Sequence, residues 1–187
     1  MPNLIDRYVS QSMVSHLSGI KNDVIRDWRR RDLMNGYGEQ QANRRWVYSL
    51  HETVELAIVR QLIFTIPTIS VCQWIAGVSA VSVVQNFRRK DGYVPVSDAV
   101  PTENYLACWI DRMPNEREGS DNFLQCRGGS TIEEAWSQLR DAKGSHAHVV
   151  DTLAMANSFE PDLKTVLLYG LAGPGRDGIS IQIEGDD

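Results

Sequence analysis

The chain has 187 residues, which is enough for one domain with a substantial core or for two small domains. Its 42% hydrophobic and 23% charged residues are ordinary for a soluble globular protein, and it contains no internal repeat or low-complexity tract. The net charge of −5 is uneven, because residues 1–90 carry 12 Lys and Arg against 7 Asp and Glu, whereas residues 91–187 carry 7 against 17. This asymmetry predicts an N-terminal part that faces nucleic acid and a C-terminal part that cannot approach phosphate closely.

Cysteine spacing and hydropathy bear on the compartment. The three cysteines lack CxxC or metal-ligand spacing, which favours free thiols in a reducing cytoplasm, and the first residues lack the features of a signal peptide. Residues 61–87 contain no charge and could span a bilayer by length, but Gln and Pro interrupt them, so buried helices at a subunit contact are favoured. We therefore expect a cytoplasmic protein without a membrane partner.

Two helices separated by a short turn are predicted near the N-terminus. Residues 8–17 have apolar side chains at the spacing of an amphipathic helix, which ends at a turn around Gly19. Asn22 or Asp23 can cap a second helix of about residues 22–31 by accepting hydrogen bonds from its free backbone N–H groups. Helix, glycine turn and helix together form the helix-turn-helix arrangement.

A hairpin is predicted next. An Asn-Gly-Tyr-Gly sequence supplies a tight loop and the aromatic run Trp46–Tyr48 favours a strand, so residues 35–48 should form a hairpin, or wing. Ser49 with Glu52 makes a capping box for a helix over residues 50–64.

The apolar segment 68–87 is predicted as a helix whose second half could instead be a strand. Its apolar side chains are spaced like a short heptad seam at Val71, Trp74, Val78 and Val81. The apolar segment 62–87, or the C-terminal sheet, is expected to form a dimer contact.

After residue 90 the pattern indicates a small acidic α+β domain. An amphipathic helix is predicted at residues 131–142, with Ile132, Ala135, Trp136 and Leu139 facing inward. Strands are predicted at 105–110 and 122–125, and the segments 148–155, 165–169 and 179–183 complete the domain, with 170–175 as a turn between strands. The predicted fold class is α+β, with a DNA-binding domain at 1–90 and an oligomerisation or sensing domain at 91–187.

Arginines are concentrated in the predicted second helix and hairpin. Four of them (Arg26, Arg29, Arg30 and Arg31) lie within six positions, and Arg44 and Arg45 lie on the hairpin. The planar guanidinium group binds phosphate or guanine bidentately, which Lys cannot do. The pattern predicts double-stranded DNA as the partner.

The order of these elements resembles a known family. A Gly turn at Leu17–Ile20, the sequence Arg26-Asp27-Trp28, a Leu at position 33 and a hairpin ending in Arg45 and Tyr48 are similar to the winged helix-turn-helix domain of MerR-type transcription regulators. The resemblance covers residues 9–64, about a third of the chain.

Several features depart from the family pattern. Asp32 replaces the family's usual Gly, and two residues rather than one separate Arg45 from Tyr48. No long clean coiled-coil helix closes the domain, and nothing after Lys90 resembles a known effector domain. Cys72 alone does not reproduce the cysteine site of the metal-sensing members.

The resemblance implies that helix 22–31 lies in the major groove and that hairpin 35–48 contacts the flanking backbone. The DNA-contacting residues it implies are Lys21, Asn22, Arg26, Trp28, Arg29, Arg30, Arg44 and Arg45. Arg29 and Arg30 are the predicted phosphate clamps, and Trp28 packs at the base of the helix or against the backbone. The expected function is sequence-specific transcription regulation by a homodimer or higher homo-oligomer that can meet RNA polymerase.

Other interpretations stay open. An architectural or excisionase-like DNA-bending protein would use the same fold, and a protein-interaction module could bind an acidic partner through its basic helix. The arginines could also form a solvated face paired with neighbouring Asp residues. His146 and His148 lack a third metal ligand, and no spacing indicates catalysis, so we expect no metal, no cofactor and no enzymatic activity.

Overall fold

The computed structural model describes residues 8–90, 104–113, 121–140 and 147–169. Within these ranges the protein is mixed α+β, with seven helices and two small antiparallel sheets. It divides into two compact units, one holding the described residues up to Ala80 and from Phe159 onward, the other Val81–Ser158. These units differ from the predicted domains 1–90 and 91–187, because their boundary falls inside one long helix and the chain returns to the first unit after Ser158.

The helices and strands follow one another in the chain order β1 (Tyr8–Ser10), α1 (Gln11–Ser18), α2 (Asn22–Arg30), β2 (Glu39–Gln40), β3 (Trp46–Ser49), α3 (Leu50–Leu62), α4 (Ile69–Lys90), β4 (Tyr105–Met113), β5 (Asp121–Gly129), α5 (Ile132–Gln138), β6 (Ala147–Asp151), α6 (Thr152–Asn157) and α7 (Pro161–Tyr169). In the first unit β3 lies between β1 and β2, and in the second β4 lies between β5 and β6. The predicted hairpin is therefore confirmed between β2 and β3, where Glu39 pairs with Val47.

Residues 8–10 form a strand, so the helix predicted over 8–17 begins too early. The Ser10 hydroxyl accepts a hydrogen bond from the Met13 N–H at 3.3 Å and caps α1, which starts one residue later. Buried Val9 pairs with Tyr48 of β3. Pairing with a strand distant in sequence outweighs the helical periodicity of these residues.

The two predicted N-terminal helices are confirmed as α1 and α2, joined by a short turn at which Gly19 is left-handed (φ 70°). The prediction that Asn22 or Asp23 caps α2 is wrong. Lys21 is the N-cap of α2, and its side chain makes no capping hydrogen bond. α2 buries Ile25 and Trp28 in the core of the first unit.

A Schellman motif ends α2. The Leu33 N–H donates to the Trp28 carbonyl at 2.8 Å, and the Asp32 N–H donates to the Arg29 carbonyl at 3.1 Å. Asp32 is left-handed (φ 55°), which is the conformation that this motif needs and that glycine adopts without strain. Asp32 thus provides the left-handed residue that ends α2.

A capping box begins α3, as predicted. Ser49 Oγ accepts from the Glu52 N–H at 3.1 Å, and Glu52 Oε2 accepts from the Ser49 N–H at 2.6 Å. The core side chains that α3 contributes include Val54, Leu56, Ala57, Ile58 and Val59.

The apolar segment that sequence left as helix or strand is one continuous helix, α4. The predicted seam is not its buried face, because Val78 and Val81 are 40% and 52% exposed. The buried side chains are Cys72, Ile75, Ala76, Ser79, Ala80, Val83, Val84, Asn86 and Phe87. Among the described residues, one stretch, Ile69–Phe87, is long and apolar enough to cross a membrane, with a mean hydropathy of 1.2, a property that core helices of soluble proteins share.

In the second unit, β4 pairs antiparallel with both neighbours and contains the predicted strand 105–110. α5 begins at the predicted position, since Thr131 Oγ1 accepts from the Glu134 N–H at 3.2 Å. Its predicted inward face is wrong in part: Ala135 is buried, but Ile132 and Trp136 are 43% and 56% exposed. The helix approaches β5 so closely at Gly129 that a Cβ there would lie 2.7 Å from the Ala135 nitrogen. Because there is so little space between them, the small side chain of Ala135, rather than a larger one, faces the sheet.

The C-terminal elements also differ from the predictions. Residues 148–155 span the end of β6 and the start of α6. Residues 165–169, predicted to precede a turn between strands, belong to α7, which starts at a proline suited to a first helical turn. The predicted segments 170–175 and 179–183 lie outside the described residues.

α7 packs on the N-terminal helices of the first unit. His16 Nε2 of α1 lies 2.5 Å from Asp162 Oδ2, and Arg60 of α3 binds Glu160. The guanidinium of Arg60 lies over Gly19, where a Cβ would collide with it. These contacts place α7 against the turn between α1 and α2.

Replacing Asp32 tests the backbone conformation at the end of α2. We expect Asp32→Val to lower the free energy of unfolding by about 1–2 kcal/mol, because a β-branched side chain is disfavoured in the left-handed region. Asp32→Gly should leave it unchanged or raise it. Urea denaturation followed by circular dichroism measures both variants, and equal losses would contradict this account.

Candidate nucleic-acid interface

The outward face of α2 carries exposed cations. Lys21, Arg26, Arg30 and Arg31 are exposed. The predicted contact Asn22 is half-buried, and its side-chain oxygen accepts a hydrogen bond from α1 at 3.3 Å. Cations therefore stand at both ends of the helix.

Asp27 holds two of these arginines along the helix. Its carboxylate accepts hydrogen bonds from Arg30 Nη2 at 2.5 Å and from Arg31 Nη1 at 3.3 Å. These bonds, that of Arg30 first, hold the pKa of Asp27 below its ordinary value. The Arg30 side chain is still 80% exposed and that of Arg31 63% exposed. Both guanidinium groups are thus accessible to an external anion.

Trp28 was predicted either to pack at the base of the helix or to contact the DNA backbone. It packs in the core and is only 9% exposed. Arg29, predicted as a phosphate clamp, is directed to the hairpin instead. Its guanidinium carbon lies 3.3 Å from the centre of the Trp46 ring and 5.5 Å from that of Tyr48. The prediction for Arg29 is therefore corrected, because two aromatic rings of β3 cover the side chain.

Hydrogen bonds fix Arg29 in this position. Its Nη2 donates to the Tyr48 hydroxyl at 2.5 Å and to the Tyr37 carbonyl at 3.4 Å. Its Nε is buried without a hydrogen-bond partner among the described residues. Burial raises the pKa of Tyr48, and the bond to Arg29 opposes that rise only in part, so the phenol stays protonated and accepts from Arg29. Arg29 thereby links α2 to β3.

Sequence reasoning missed this link, although the chain carries a signal for it. Trp46 and Tyr48 alternate on β3, so both aromatic side chains stand on one face of the strand. In α2, Arg29 directly follows buried Trp28 and lies one helical turn from buried Ile25. An arginine at the edge of a buried stripe, opposite paired aromatics, favours stacking over solvent.

The tip of the hairpin presents two further arginines. The Arg44 N–H donates to the Gln41 carbonyl at 2.8 Å, and the Gln41 N–H donates to the Arg45 carbonyl at 2.8 Å, which closes a three-residue loop. Arg44 takes the left-handed position of that loop (φ 66°), where glycine is usual. Both arginines are exposed. A side chain other than glycine costs about 1–2 kcal/mol in this conformation.

Glu52 anchors the start of the hairpin to α3. Besides its role in the capping box, its Oε1 accepts from the Gly38 N–H at 2.7 Å. Gly38 is left-handed (φ 70°), and a Cβ there would lie 2.9 Å from the Tyr48 ring. Only glycine fits this close approach, so the hairpin enters at a fixed angle.

Glu55, one turn further along α3, forms hydrogen bonds with the side chains of Tyr37 and His51. Burial, then the negative charge of Glu55 and its hydrogen bond, raise the pKa of Tyr37 well above its usual range. His51 Nε2 lies 3.0 Å from Glu55 Oε1, and this bond raises the pKa of His51 above 6.5 despite partial burial. Glu55 therefore favours protonated forms of both neighbours.

No protein-family model matches the chain, and no curated protein matches its sequence. Within the described ranges, no group of three His, Cys, Asp or Glu side chains could hold a metal ion. The predicted histidine pair is only half described, because His146 lies outside these ranges.

Removing Arg29 tests the link between α2 and β3. We expect Arg29→Ala and Arg29→Lys each to lower the free energy of unfolding by about 1–3 kcal/mol, because the buried Tyr48 hydroxyl loses its partner and Lys lacks the planar stacking group. The control Arg30→Ala removes an exposed cation and should change it by no more than about 0.5 kcal/mol. Urea unfolding curves measure the free energy of unfolding of each variant. A Lys variant as stable as the wild type would contradict the stacking role.

The bond between His51 and Glu55 predicts a pH dependence. Because folding raises the pKa of His51, the protonated form stabilises the folded state, fully below the ordinary value of 6.5 and less as pH rises through the raised folded pKa. His51→Gln should therefore lower stability by about 1 kcal/mol at low pH and have little effect at high pH. Unfolding curves at about pH 5.5 and about pH 8 measure this, and a difference that is constant with pH would refute it.

Proposed function

We propose that the first unit is a winged helix-turn-helix domain that binds double-stranded DNA, and that the protein is a sequence-specific transcription regulator similar to the MerR type. In this proposal α2 enters the major groove, and the hairpin of β2 and β3 contacts the flanking backbone. The second unit serves oligomerisation or signal sensing.

One observation carries the proposal: exposed cations stand on two elements that Arg29 joins. Residues 21–45 contain seven Lys and Arg against four Asp and Glu, a net charge of +3. Six of the seven cations are exposed, and Arg29 makes the link to Trp46. A helix and a hairpin held in this way suit a groove and the phosphate row beside it.

The strained position of Arg44 supports the proposal independently. A left-handed arginine at a hairpin tip is less stable than glycine, so its presence favours a role for the charge. Because Arg44 and Arg45 are adjacent and exposed, they suit the backbone or the minor groove beside the site of α2.

Each residue receives a role from its place. Lys21, Asn22 and Arg26 are proposed to meet base edges or adjacent phosphates, Arg30 and Arg31 to exchange Asp27 for phosphate, and Arg44 and Arg45 to bind the flanking backbone. Trp28 and Arg29 then act by positioning the helix and the hairpin. This assignment differs from the sequence-based one, which gave Arg29 a phosphate contact.

A homodimer is part of the proposal, because one short helix gives little base discrimination and paired half-sites supply the rest. The exposed Val78 and Val81 on α4 offer apolar area for such a contact. A cytoplasmic location and an encounter with RNA polymerase follow from the proposed regulatory role.

Selection from a random double-stranded DNA library tests the proposal. The full chain should enrich one inverted-repeat sequence and bind it at least about 10³-fold more tightly than random DNA at physiological salt. Failure to retain any DNA at that salt, with retention of acidic peptides instead, would replace the proposal with a protein-interaction role. Enrichment of many bent sequences without a consensus would indicate an architectural protein.

Arg44→Gly separates charge from folding at the hairpin tip. Since glycine suits the left-handed position, we expect no loss of stability, but a slope of log K against log salt that is shallower by about 0.9 for one lost phosphate contact. The matched control Arg127→Ala removes an exposed cation from β5 of the second unit and should leave the slope unchanged. Fluorescence anisotropy over a salt series measures both, and equal slopes for all three proteins would exclude a tip contact.

Arg26→Ala tests the proposed base contact. It should lower discrimination at one base pair by about 1–3 kcal/mol, while Arg44→Gly weakens binding uniformly across sequences. Competition with single-base variants of the selected site distinguishes the two patterns.

A further inference from the structure

Two thiols of the second unit face each other across neighbouring strands. Cys108 on β4 is directly opposite Cys126 on β5, and their Sγ atoms are 3.3 Å apart. Neither sulfur belongs to a disulfide in this structure. Cys108 is only 1% exposed, whereas Cys126 is partly exposed. Cys126 is therefore the more accessible residue of the pair, and Cys108 is held against it.

The backbone geometry fits a disulfide at this position. Directly opposed residues of antiparallel strands have Cα atoms about 4.5–5.5 Å apart, and disulfides span Cα separations of about 4.4–6.8 Å. The two Sγ atoms must close from 3.3 Å to about 2.05 Å, which side-chain rotation can provide. The strands need not separate or shift register.

A metal ion suits the same residues less well. His148 on β6 is also opposite Cys108, so the row across the sheet is Cys126, Cys108 and His148. Neighbouring strands are about 4.8 Å apart, so the outer members of the row are separated by about twice that distance. These three side chains do not form a group that could hold a metal ion, and no such group exists elsewhere among the described residues.

We propose that Cys108 and Cys126 are a peroxide-oxidised thiol pair that closes to a disulfide between β4 and β5. Cys126 Sγ attacks one peroxide oxygen, the O–O bond breaks, and Cys126 becomes a sulfenic acid as one water leaves. Cys108 Sγ then attacks the Cys126 sulfur, the S–O bond breaks, and the second water carries away the Cys108 proton. Two thiols and one hydrogen peroxide thus give one disulfide and two waters, with two electrons passing from sulfur to oxygen.

Exposure sets the order of the two steps. Cys108 is buried and Cys126 is partly exposed, so peroxide meets Cys126 first. The hydrogen bond to Cys126, followed by burial, also raises the pKa of Cys108, which disfavours its thiolate. Once Cys126 is a sulfenic acid, the neighbouring Cys108 sulfur captures it before further oxidation. The crosslink then constrains the unfolded chain and stabilises the second unit.

Peroxide treatment of the purified full chain tests this proposal, which does not depend on DNA binding. The reduced chain is treated with hydrogen peroxide, quenched with catalase, and alkylated under denaturing conditions. We expect one alkylated cysteine, Cys72, instead of three, an unalkylated mass lower by about 2 Da, reversal by dithiothreitol, and a higher melting temperature. Trypsin cleaves after Arg112 and Arg117, between the two cysteines, so a linked peptide pair identifies the bond.

Variants of the three cysteines provide matched controls. Cys72→Ala should keep the disulfide and the rise in melting temperature, and Cys126→Ser should abolish both. Cys108→Ala should let Cys126 proceed to sulfinic and sulfonic acid. If the buried Cys108 substitution prevents folding, the wild-type peptide map and Cys126→Ser decide.

Several results would overturn the proposal. These are an unchanged thiol count, overoxidation of Cys126 in the wild type while Cys108 stays a thiol, a bond to Cys72, or crosslinked dimers on a non-reducing gel as the main product.

Discussion

The stacking of the Arg29 guanidinium on Trp46, with its hydrogen bond to Tyr48, joins a helix to a strand across an irregular loop. The same Tyr48 pairs with Val9 of β1 and closes over Gly38 at the start of the hairpin. One buried aromatic side chain therefore meets three parts of the first unit. Without Arg29, the buried hydroxyl of Tyr48 would lose this hydrogen-bond partner, and the contact that joins α2 to the hairpin would be lost.

The arginines of the first unit divide into structural and accessible groups. Arg29 is covered by aromatic rings, while Arg30 and Arg31 are held by Asp27 but exposed, and Arg44 is kept at a strained tip. An ordinary solvated surface has no need of a left-handed arginine where glycine would be more stable. The arrangement favours a polyanion as partner, because it fixes the spacing of the cations while it leaves their charges open to solvent.

In the second unit, the pairing register of the sheet decides which side chains meet. Its small sheet packs Ala107 and Trp109 against Ala135, and the opposite residues of β4 and β5 bring Cys108 to Cys126. The cysteines are far apart in the sequence, so their spacing gave no sign of a pair. Register alone creates the contact, since a shift by one residue would turn the two side chains to opposite faces.

Four features of the protein could be predicted from the sequence alone: the mixed α+β class, the two N-terminal helices, the capping box at Ser49 and the hairpin after Gly38. They could be predicted because caps, turns and periodicity depend on interactions between residues a few positions apart. Only the tertiary structure decided that Tyr8 begins a strand, that Val78 and Val81 leave the buried face of α4, and that Arg29 stacks instead of facing outward. Each of these depends on a partner distant in the chain, and burial against that partner outweighs the weak local preference of the residue.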